Sequence, residues 1–348
     1  MYFVLYDKNL NPIGNPYKLE KWSRTQRAVD FDNLKIVGAE INLSRDPFLV
    51  VVNNKHGNML FSGLVSTPTI DAKAKRTSII LKDYLTLLNS EIIINLSEFS
   101  GTNLHAYIEF ILNSWSSQID VGFSTDWNIS VSLSLMELSH NIKTGTQSIN
   151  VCNHILGLLD YYGVYVICDL NIPEKKIIFK FNKNGQFTLP VKLSDFEVGT
   201  IEKSFGECNR ATVYNHVYEK KQEWALTIDN EVVKLPSPKP LVYPAKNKNF
   251  IAKEPNDNLD ETSAVNNAAY DAVMELSKNR YQETIELDAK KTEALFNSIP
   301  FDYFAYYIDV YTDDGFYKKF PIGEIITDSD GKHILKLGFR IQELTQEI

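Results

Sequence analysis

The segment TDSDGKH, residues 327–333, carries the side chains best suited to binding a metal ion. Asp328 and Asp330 precede Gly331, as the first ligands of a calcium loop would. Such a loop needs further oxygen ligands and a late bidentate glutamate, and none follows at the required spacing. Asp-Gly between two apolar runs is typical of a hairpin turn, so we predict a turn here and another at TDDGF, which begins at residue 312.

Histidine and cysteine, the usual ligands of zinc, are scattered along the chain. His105 and His154 each lie on a predicted helix with no second histidine four residues away. The cysteines are odd in number and widely spaced, which matches neither a disulfide framework nor a zinc site, so we predict that they are buried apolar side chains. The histidines are His56, His105, His140, His154, His216 and His333, and the cysteines are Cys152, Cys168 and Cys208.

Motifs of common hydrolases and nucleotide-binding proteins do not occur, whether HExxH, GxSxG or GxxxxGK[ST]. Glu197 and Glu202 could imitate a glycosidase pair, but nothing places them in a cleft, so we interpret them as surface charge. The basic cluster KAKR, residues 73–76, is interpreted as a solvated hairpin tip, although it could contact DNA or an acidic neighbour. The sequence therefore predicts no catalytic residue, no metal site and no cofactor.

The composition is that of a folded, acidic protein. The 348 residues are 44% hydrophobic and 23% charged, which is enough for two to four domains with large cores. The net charge of −8 argues against tight nucleic-acid binding. The start, MYFVLYDKNLNP, lacks the basic region of a signal peptide, and no apolar run approaches the roughly 20 residues of a membrane span. We therefore expect synthesis and folding in a cytoplasm.

The elements that would position any site begin with a strand-rich segment, residues 1–95. Apolar and polar residues alternate in YFVLYD, NLKIVGAEINLSR, PFLVVVN, MLFSGLVST and RTSIILKD, with turn residues between them. This pattern predicts an antiparallel barrel or sandwich. The most regular stretch is residues 58–92. Its apolar and polar residues alternate as in strands, a group of polar residues predicts one turn, and the stretch ends in the helix-like DYLTLL.

Residues 96–195 change to a helical period. Apolar residues recur at steps of three and four from Leu104 to Trp115, and Thr102 or Asn103 can cap this helix. The stretch TQSINVCNHILGLLDYYG predicts a second helix that ends at Gly163. The strands VYVICDL and KKIIFKF follow, so we predict a small α/β module.

From residue 196 the strand pattern returns in TVYNHVYE, EWALTID and EVVKL, and again at 303–341. Between them, DETSAVNNAAYDAVMELSKNRYQ predicts a helix. The proline-rich stretch PSPKPLVYP predicts an extended loop, which we interpret as a fixed segment on a neighbouring subunit; a polyproline recognition segment is the alternative. Its prolines are Pro236, Pro238, Pro240 and Pro244.

Two distant segments repeat one pattern. FLVVVNNKHGNMLFSGLVSTPTIDAKAKRTSIIL and YYIDVYTDDGFYKKFPIGEIITDSDGKHILKLGF both run strand, glycine-bearing turn, strand, aspartate-bearing turn, strand. The alignment brings Phe61 near Phe320 and Gly63 near Gly323, with one or two residues of slip. Chance similarity among hairpins and two copies of one β unit both account for the pattern. Two copies would let a trimer imitate a six-membered ring.

The order FSGLV…T…KRTSIILKDYLTLLN, then SINVCNHILGLLDYYGVYVICD, then IGEIITDSDGKHILKLGFR resembles the baseplate hub proteins of tailed bacteriophages. That family includes the N-terminal structural region of siphophage tail-associated lysins. The resemblance spans nearly the whole chain and is one of pattern and order. It implies an α+β, mostly β fold, with two similar antiparallel β-barrel tube domains and two insertions.

The resemblance places the first tube domain at 1–95 and the second at 196–235 with 284–348. The α/β module with two helices, 96–195, and the proline-rich loop and helix, 236–283, would be outer insertions. It also implies a homotrimer whose six barrels form a ring beneath the six-fold tail tube and adapt that tube to a three-fold tip.

The implied partners are the distal tail protein or tail tube on one side and tip or receptor-binding proteins on the other. Genomic DNA would pass through without specific binding, because an acidic lumen repels it. The implied location is the virion tail tip, after assembly in the bacterial host cytoplasm. Lysins of this family continue into a peptidase or glycosidase region, whereas this sequence ends at Ile348, so we expect a non-enzymatic protein. The alternatives are a truncated tail-associated peptidoglycan hydrolase and a carbohydrate-binding β-module for host recognition.

Overall fold

A computed structural model describes residues 1–28, 31–39, 47–71, 73, 75–122, 124–138, 143–183, 185, 187–195, 198–204, 206–280, 282–287, 303–330 and 333–338. The fold is mostly β, with one 12-stranded sheet, three smaller sheets and three α-helices among these residues. The predicted fold class is therefore confirmed.

The first six strands close into a barrel, here called the first β unit. Their order is β1-β4-β5-β6-β3-β2, and β2 pairs again with β1. Every pairing is antiparallel. In β4, Val50 and Val52 face the barrel interior while Leu49 and Val51 pack against the following module. The strands are β1 (Tyr2–Tyr6), β2 (Pro12–Arg27), β3 (Asn33–Ala39), β4 (Leu49–Asn53), β5 (Met59–Asp71) and β6 (Arg76–Lys82).

The α/β module follows, and its first helix lies where the sequence predicts it. The Asn103 side chain caps that helix by accepting a hydrogen bond from the Ala106 N–H, and the six apolar residues from Leu104 to Trp115 are buried. The module consists of β7 (Glu91–Asn95), α1 (Leu104–Gln118), β8 (Ser124–Ile129), β9 (Thr146–Asn150), α2 (Val151–Tyr162), β10 (Val164–Asn171) and β11 (Lys176–Lys183). Strand β7 pairs with β9, and β11 pairs with both β10 and β8.

The second helix begins later than predicted. Residues 146–150 form β9 instead of a first helical turn, because Asn150 caps α2 through the Asn153 N–H. The helix ends as predicted at Gly163, which adopts the left-handed conformation with φ of 63°. The chain then continues into β12 (Phe187–Lys192) and β13 (Val198–Ser204).

Residues 206–280, here called the insertion, fold as a separate layer. Their four strands have the order β16-β15-β14-β17, and α3 packs its alanine-rich face against them. Helix α3 is confirmed, with Val265, Ala269, Ala272, Val273 and Leu276 buried as predicted. The elements are β14 (Arg210–Tyr214), β15 (Lys220–Leu226), β16 (Val232–Lys234), β17 (Asn247–Ile251) and α3 (Glu261–Lys278).

The last four strands join β12 and β13 in the second β unit, whose order is β13-β18-β21-β20-β19-β12. Four of its pairings are antiparallel, and β12 runs parallel to β19. The strands are β18 (Gln282–Leu287), β19 (Tyr306–Thr312), β20 (Gly315–Asp328) and β21 (His333–Leu337). In both β units the second to sixth strands along the chain follow the same neighbour order.

Strand pairing groups two segments differently from the sequence-based boundaries. Strand β12 lies before residue 195 but pairs with β19 of the second β unit. Strands β14 and β15 lie before residue 235 but pair with each other and with β17 and β16. The periodicity of a strand does not reveal its partner, which explains both differences.

Candidate functional surface between the two β units

Strands β2 and β20 join the two β units edge to edge. Their antiparallel register runs from the pair Ser23–Asp328 to the pair Arg27–Glu324. Strand β2 is 16 residues long and pairs first with β1, then with β3 on one edge and β20 on the other. This arrangement makes the two units parts of one continuous sheet.

An ion cluster centred on Glu324 stabilises this joint. The Arg27 Nε donates to Glu324 Oε2 at 2.9 Å, and the Lys336 Nζ lies 2.9 Å from Glu324 Oε1. The Glu324 side chain is only 18% exposed. Burial acts to raise the pKa of Glu324, but the hydrogen bonds from Lys336 and Arg27 outweigh it and lower that pKa. The carboxylate is therefore charged and doubly paired at neutral pH.

A second carboxylate site lies behind the joint. Asp32 accepts a hydrogen bond from the Arg27 backbone N–H at 2.9 Å and forms an ion pair with Arg24 at 3.3 Å. The Asp32 N–H lies 3.5 Å from Asp83 Oδ2, which brings the two carboxyl groups together. Burial, and then the charge of Asp32, raise the pKa of Asp83 to about 7. The pair thus holds a proton under conditions in which ordinary carboxyl groups have lost theirs.

Arg24, Arg27, Asp32 and Asp83 line a cavity of about 80 Å³ at the meeting point of both β units and the module. Cys168 reaches it from β10, and Tyr303 reaches it from the second β unit. Burial, followed by the charges of Asp83 and Asp32, raises the pKa of the Cys168 thiol. A thiol that stays protonated is a poor nucleophile, so this arrangement favours a structural contact over covalent catalysis.

The predicted aspartate turns are present. Residues 328–330 connect β20 to β21, and the Asp330 N–H donates to Asp328 Oδ1 at 2.8 Å, as in an aspartate-stabilised turn. Asp330 also lies 3.7 Å from the Lys21 Nζ of β2. Gly331 lies outside the described residues. The second turn connects β19 and β20, with Thr312 paired to Gly315.

The four histidines whose side chains the structure describes have separate surroundings. His154 is buried and lies 3.0 Å from the Tyr107 OH, whereas His105 contacts the Ser130 carbonyl at 3.4 Å. Burial lowers the pKa of His154 to about 4. His56 is exposed in a turn, and His216 lies in the insertion. His140 and the side chain of His333 are outside the described part, in which no three His, Cys, Asp or Glu residues cluster as metal ligands would.

The other candidates have different surroundings. Cys152 and Cys208 are buried, as predicted, and Cys168 is partly buried. Glu197 and the side chain of Glu202 lie outside the described residues. The KAKR cluster lies at the tip of the β5–β6 hairpin, where Arg76 pairs with Glu20 at 2.7 Å.

The proline-rich loop is fastened to its own sheet. Asn209, which is 8% exposed, donates through its side-chain amide to the Pro244 carbonyl at 2.8 Å and accepts from the Lys246 N–H at 2.9 Å. The Val242 N–H donates to the Leu226 carbonyl of β15. These contacts give the loop a fixed course along the insertion.

Arg24, Arg27, Asp32 and Asp83 are not singled out by the sequence. Each is an isolated charge next to strand residues, and Glu324 lies 297 positions after Arg27. The only local signal is two arginines three residues apart within one strand pattern. Their shared environment arises from the pairing of β2 with β20.

Neither a protein-family model nor a curated protein matches the sequence. Solved structures do match its fold. A tail protein from Neisseria meningitidis MC58 gives a TM-score of 0.51 at 13% identity, covering 97% of this chain and 95% of that one. The 43 kDa tail protein of prophage MuSo2 from Shewanella oneidensis gives 0.51 at 12% identity, covering 98% of both chains.

A prophage tail protein from Listeria monocytogenes EGD-e gives a TM-score of 0.51 at 12% identity, covering 98% of this chain and 95% of that one. Within the described ranges, no helix has the length and apolar character that crossing a membrane requires. The chain therefore has, along nearly its whole length, the fold of these tail proteins, and the resemblance to phage tail proteins is confirmed at the level of the fold.

Proposed function

We propose that this protein is a non-enzymatic structural hub at the tail tip or baseplate of a bacteriophage or phage-like particle. The observation that carries the proposal is the joint between β2 and β20, which sets two β units with corresponding strand order side by side in one chain. The fold shared with three tail proteins over 95–98% of their chains supports it.

In this proposal three copies form a ring of six β units. Such a ring matches a six-fold tail tube on one side, because each chain supplies two units. The module and the insertion, each present once per chain, give the assembly its three-fold character. This protein would contact the tail tube or distal tail protein on one face and tip or receptor-binding proteins on the other.

The ring would surround part of the DNA channel or its plug. The net charge of −8 supports a channel that DNA passes without binding, because like charges repel. The protein would be located in the virion tail tip after assembly in the host cytoplasm.

The first test is the mass of the full chain in solution, by light scattering across a concentration series. A particle of three times 39.8 kDa supports the ring, and ring-shaped particles in negative-stain micrographs would show its form. A stable monomer at all concentrations contradicts the assembly. A clearing band on cell-wall zymograms would instead indicate the hydrolase alternative.

The location needs a separate experiment on particles from the producing strain. Antibody against this chain should label purified particles at the tail tip, and the chain should co-purify with tube protein. Label distributed along the tail, or chain found only in the particle-free fraction, would contradict a hub role.

A further inference from the structure

The two β units can be aligned by the positions of their β-bulges. Strand β5 bulges at Leu60 opposite β4 and at Ser66 opposite β6. Strand β20 bulges at Tyr317 opposite β19 and at Gly323 opposite β21. The two bulges are six residues apart in β5 and also in β20. A single alignment of β5 with β20 therefore matches both pairs of bulges. This register differs by three residues from the sequence-based match of Gly63 with Gly323.

Under this alignment, the same strand segment has described strand partners on both edges in one unit and on one edge in the other. Residues 324–328 of β20 pair with β2 on one edge, and residues 324–327 pair with β21 on the other. The corresponding residues of β5 are 67–71, which pair with β6 on one edge and with no described strand on the other. All five are exposed, including Ile70 at 48%, whereas none of residues 324–328 is.

The same bulge alignment identifies the strand of the second β unit that corresponds to β2. Leu81 and Leu337 correspond because each is opposite a bulge, and they pair with Leu34 and Ile285 respectively. Those residues pair in turn with Arg24 of β2 and Ile201 of β13. Strand β13 thus corresponds to residues 21–27 of β2, the part of β2 that joins the units.

Strand β13 also ends the sheet path, and among the described strands it pairs only with β18. The chain therefore carries one satisfied joint, β2 with β20, and the two halves of a second. These halves are the outer edge of β13 and the outer edge of residues 67–71, where the described residues supply no strand partner. Open edges of this kind are templates for pairing with another chain.

We propose that β13 of one copy pairs antiparallel with residues 67–71 of β5 in the next copy, repeating between chains the joint seen within the chain. This inference rests on the proposed ring and names the surface that would build it. The contact is head-to-tail, so each copy uses one edge of each kind and three copies leave neither edge bare. In this register Ser204 faces Thr67, as Arg27 faces Glu324.

Two features set the strength of this contact. Pro68 takes the place of Ile325, so the contact between copies has one backbone donor fewer than the joint within the chain. The charges are complementary, because residues 1–82 hold twelve Lys and Arg against seven Asp and Glu, whereas residues 187–204 with 282–348 hold nine against sixteen. Each contact would therefore bring a basic unit of one copy to an acidic unit of the next, and high salt should weaken it.

The test is disulfide cross-linking of the full chain carrying Thr67→Cys and Ser204→Cys. The Ala28 N–H donates to the Gly323 carbonyl, so Arg27 and Glu324 form the closer, non-hydrogen-bonded type of pair. The corresponding cysteines would meet the distance that a disulfide needs. The matched control carries Thr188→Cys with Ser204→Cys, because Thr188 is exposed on β12 but lies outside the predicted contact.

After oxidation, we expect a covalent trimer on denaturing gels that disappears with reductant, with about tenfold more product than the control gives. Light scattering on the same samples separates this proposal from the proposed function. A trimeric mass without cross-linking above the control overturns the β5–β13 contact and leaves the ring standing. A monomer at every concentration overturns both.

Discussion

Arg27 and Glu324 are 297 positions apart in the chain and are joined by a 2.9 Å ion pair at the last rung of the β2–β20 ladder. Lys336 forms an ion pair with the other carboxylate oxygen of Glu324. The pair is a direct contact between the first and second β units, and both side chains are about four-fifths buried. Its contribution should therefore exceed that of a surface ion pair.

Replacing Glu324 by Gln should weaken the joint. The change removes the charged acceptor that Arg27 and Lys336 share, and we expect the free energy of unfolding to fall by about 2 kcal/mol. Urea denaturation at neutral pH measures this loss. Lys319→Gln is the matched control, because the Lys319–Asp309 pair is 4.0 Å long and Lys319 is 48% exposed, and it should cost less than about 0.5 kcal/mol. Equal losses in the two variants would show that the joint adds nothing.

The stability should depend on pH through Asp83. Its pKa is raised from 3.8 to about 7 in the folded protein, so the folded state holds a proton that the unfolded state releases. The stabilising contribution of the neutral carboxyl is fully present below pH 3.8 and is lost as the pH rises through 7.

Asp83→Asn removes this titration and keeps an oxygen that can accept from the Leu85 N–H. The variant should therefore gain stability relative to the wild type between pH 4 and pH 8, by at most about 1.4 kcal/mol per pH unit. Denaturant midpoints of both proteins across this range measure the difference. Parallel profiles would mean that Asp83 titrates normally.

His154 should act in the opposite direction. Its pKa falls from 6.5 to about 4 because it is buried, so the unfolded state binds the proton more readily. Stability is then lost as the pH falls from about 6.5 to about 4. His154→Gln weakens the contact with the Tyr107 OH and should cost about 1 kcal/mol at pH 7. Thermal melts should show this cost shrinking towards pH 4, and an unchanged cost would contradict the buried neutral imidazole.

Gly323 should tolerate no side chain. A Cβ at this bulge would lie 2.0 Å from the Gly338 carbonyl oxygen, so Gly323→Ala should destabilise the second β unit by about 3 kcal/mol. Gly157→Ala is the control, because α2 has nothing within 4 Å of that Cβ and alanine favours the helix by about 0.5–1 kcal/mol. Calorimetry of both variants tests the pair, and a neutral Gly323→Ala would show that β20 can move away from β21.

Local patterns in the sequence were sufficient to predict the helices. The six buried residues of α1 and the Gly163 stop of α2 follow from spacing and capping alone. The error at residues 146–150 arose because asparagine at 150 starts a helix while the residues before it pair with β7. The first residue of a helix can be predicted from its cap only if it is also known whether the preceding residues pair with a strand.

Local sequence patterns could not predict which strands pair with each other. Nothing local distinguishes β12 from the strands of the preceding module, although β12 pairs with β19, 119 residues later in the chain. The charged joint could not be predicted for the same reason, since Asp32, Asp83 and Glu324 look like ordinary charges within or beside strands. The repeated hairpin pattern left two related units and chance similarity as alternatives, and the bulges that fix the register have no sequence signature here.

The pairing of β2 with β20 also sets an order of folding. All six strands of the first β unit lie within the first 82 residues, so that barrel can close while most of the chain is still unsynthesised. The far edge of β2 must then wait for β20, almost 300 residues later. During that interval the nascent chain exposes a strand edge that could pair with another nascent chain. Slow elongation or early termination before β20 should therefore yield aggregates built through β2, a folding hazard that the finished protein no longer shows.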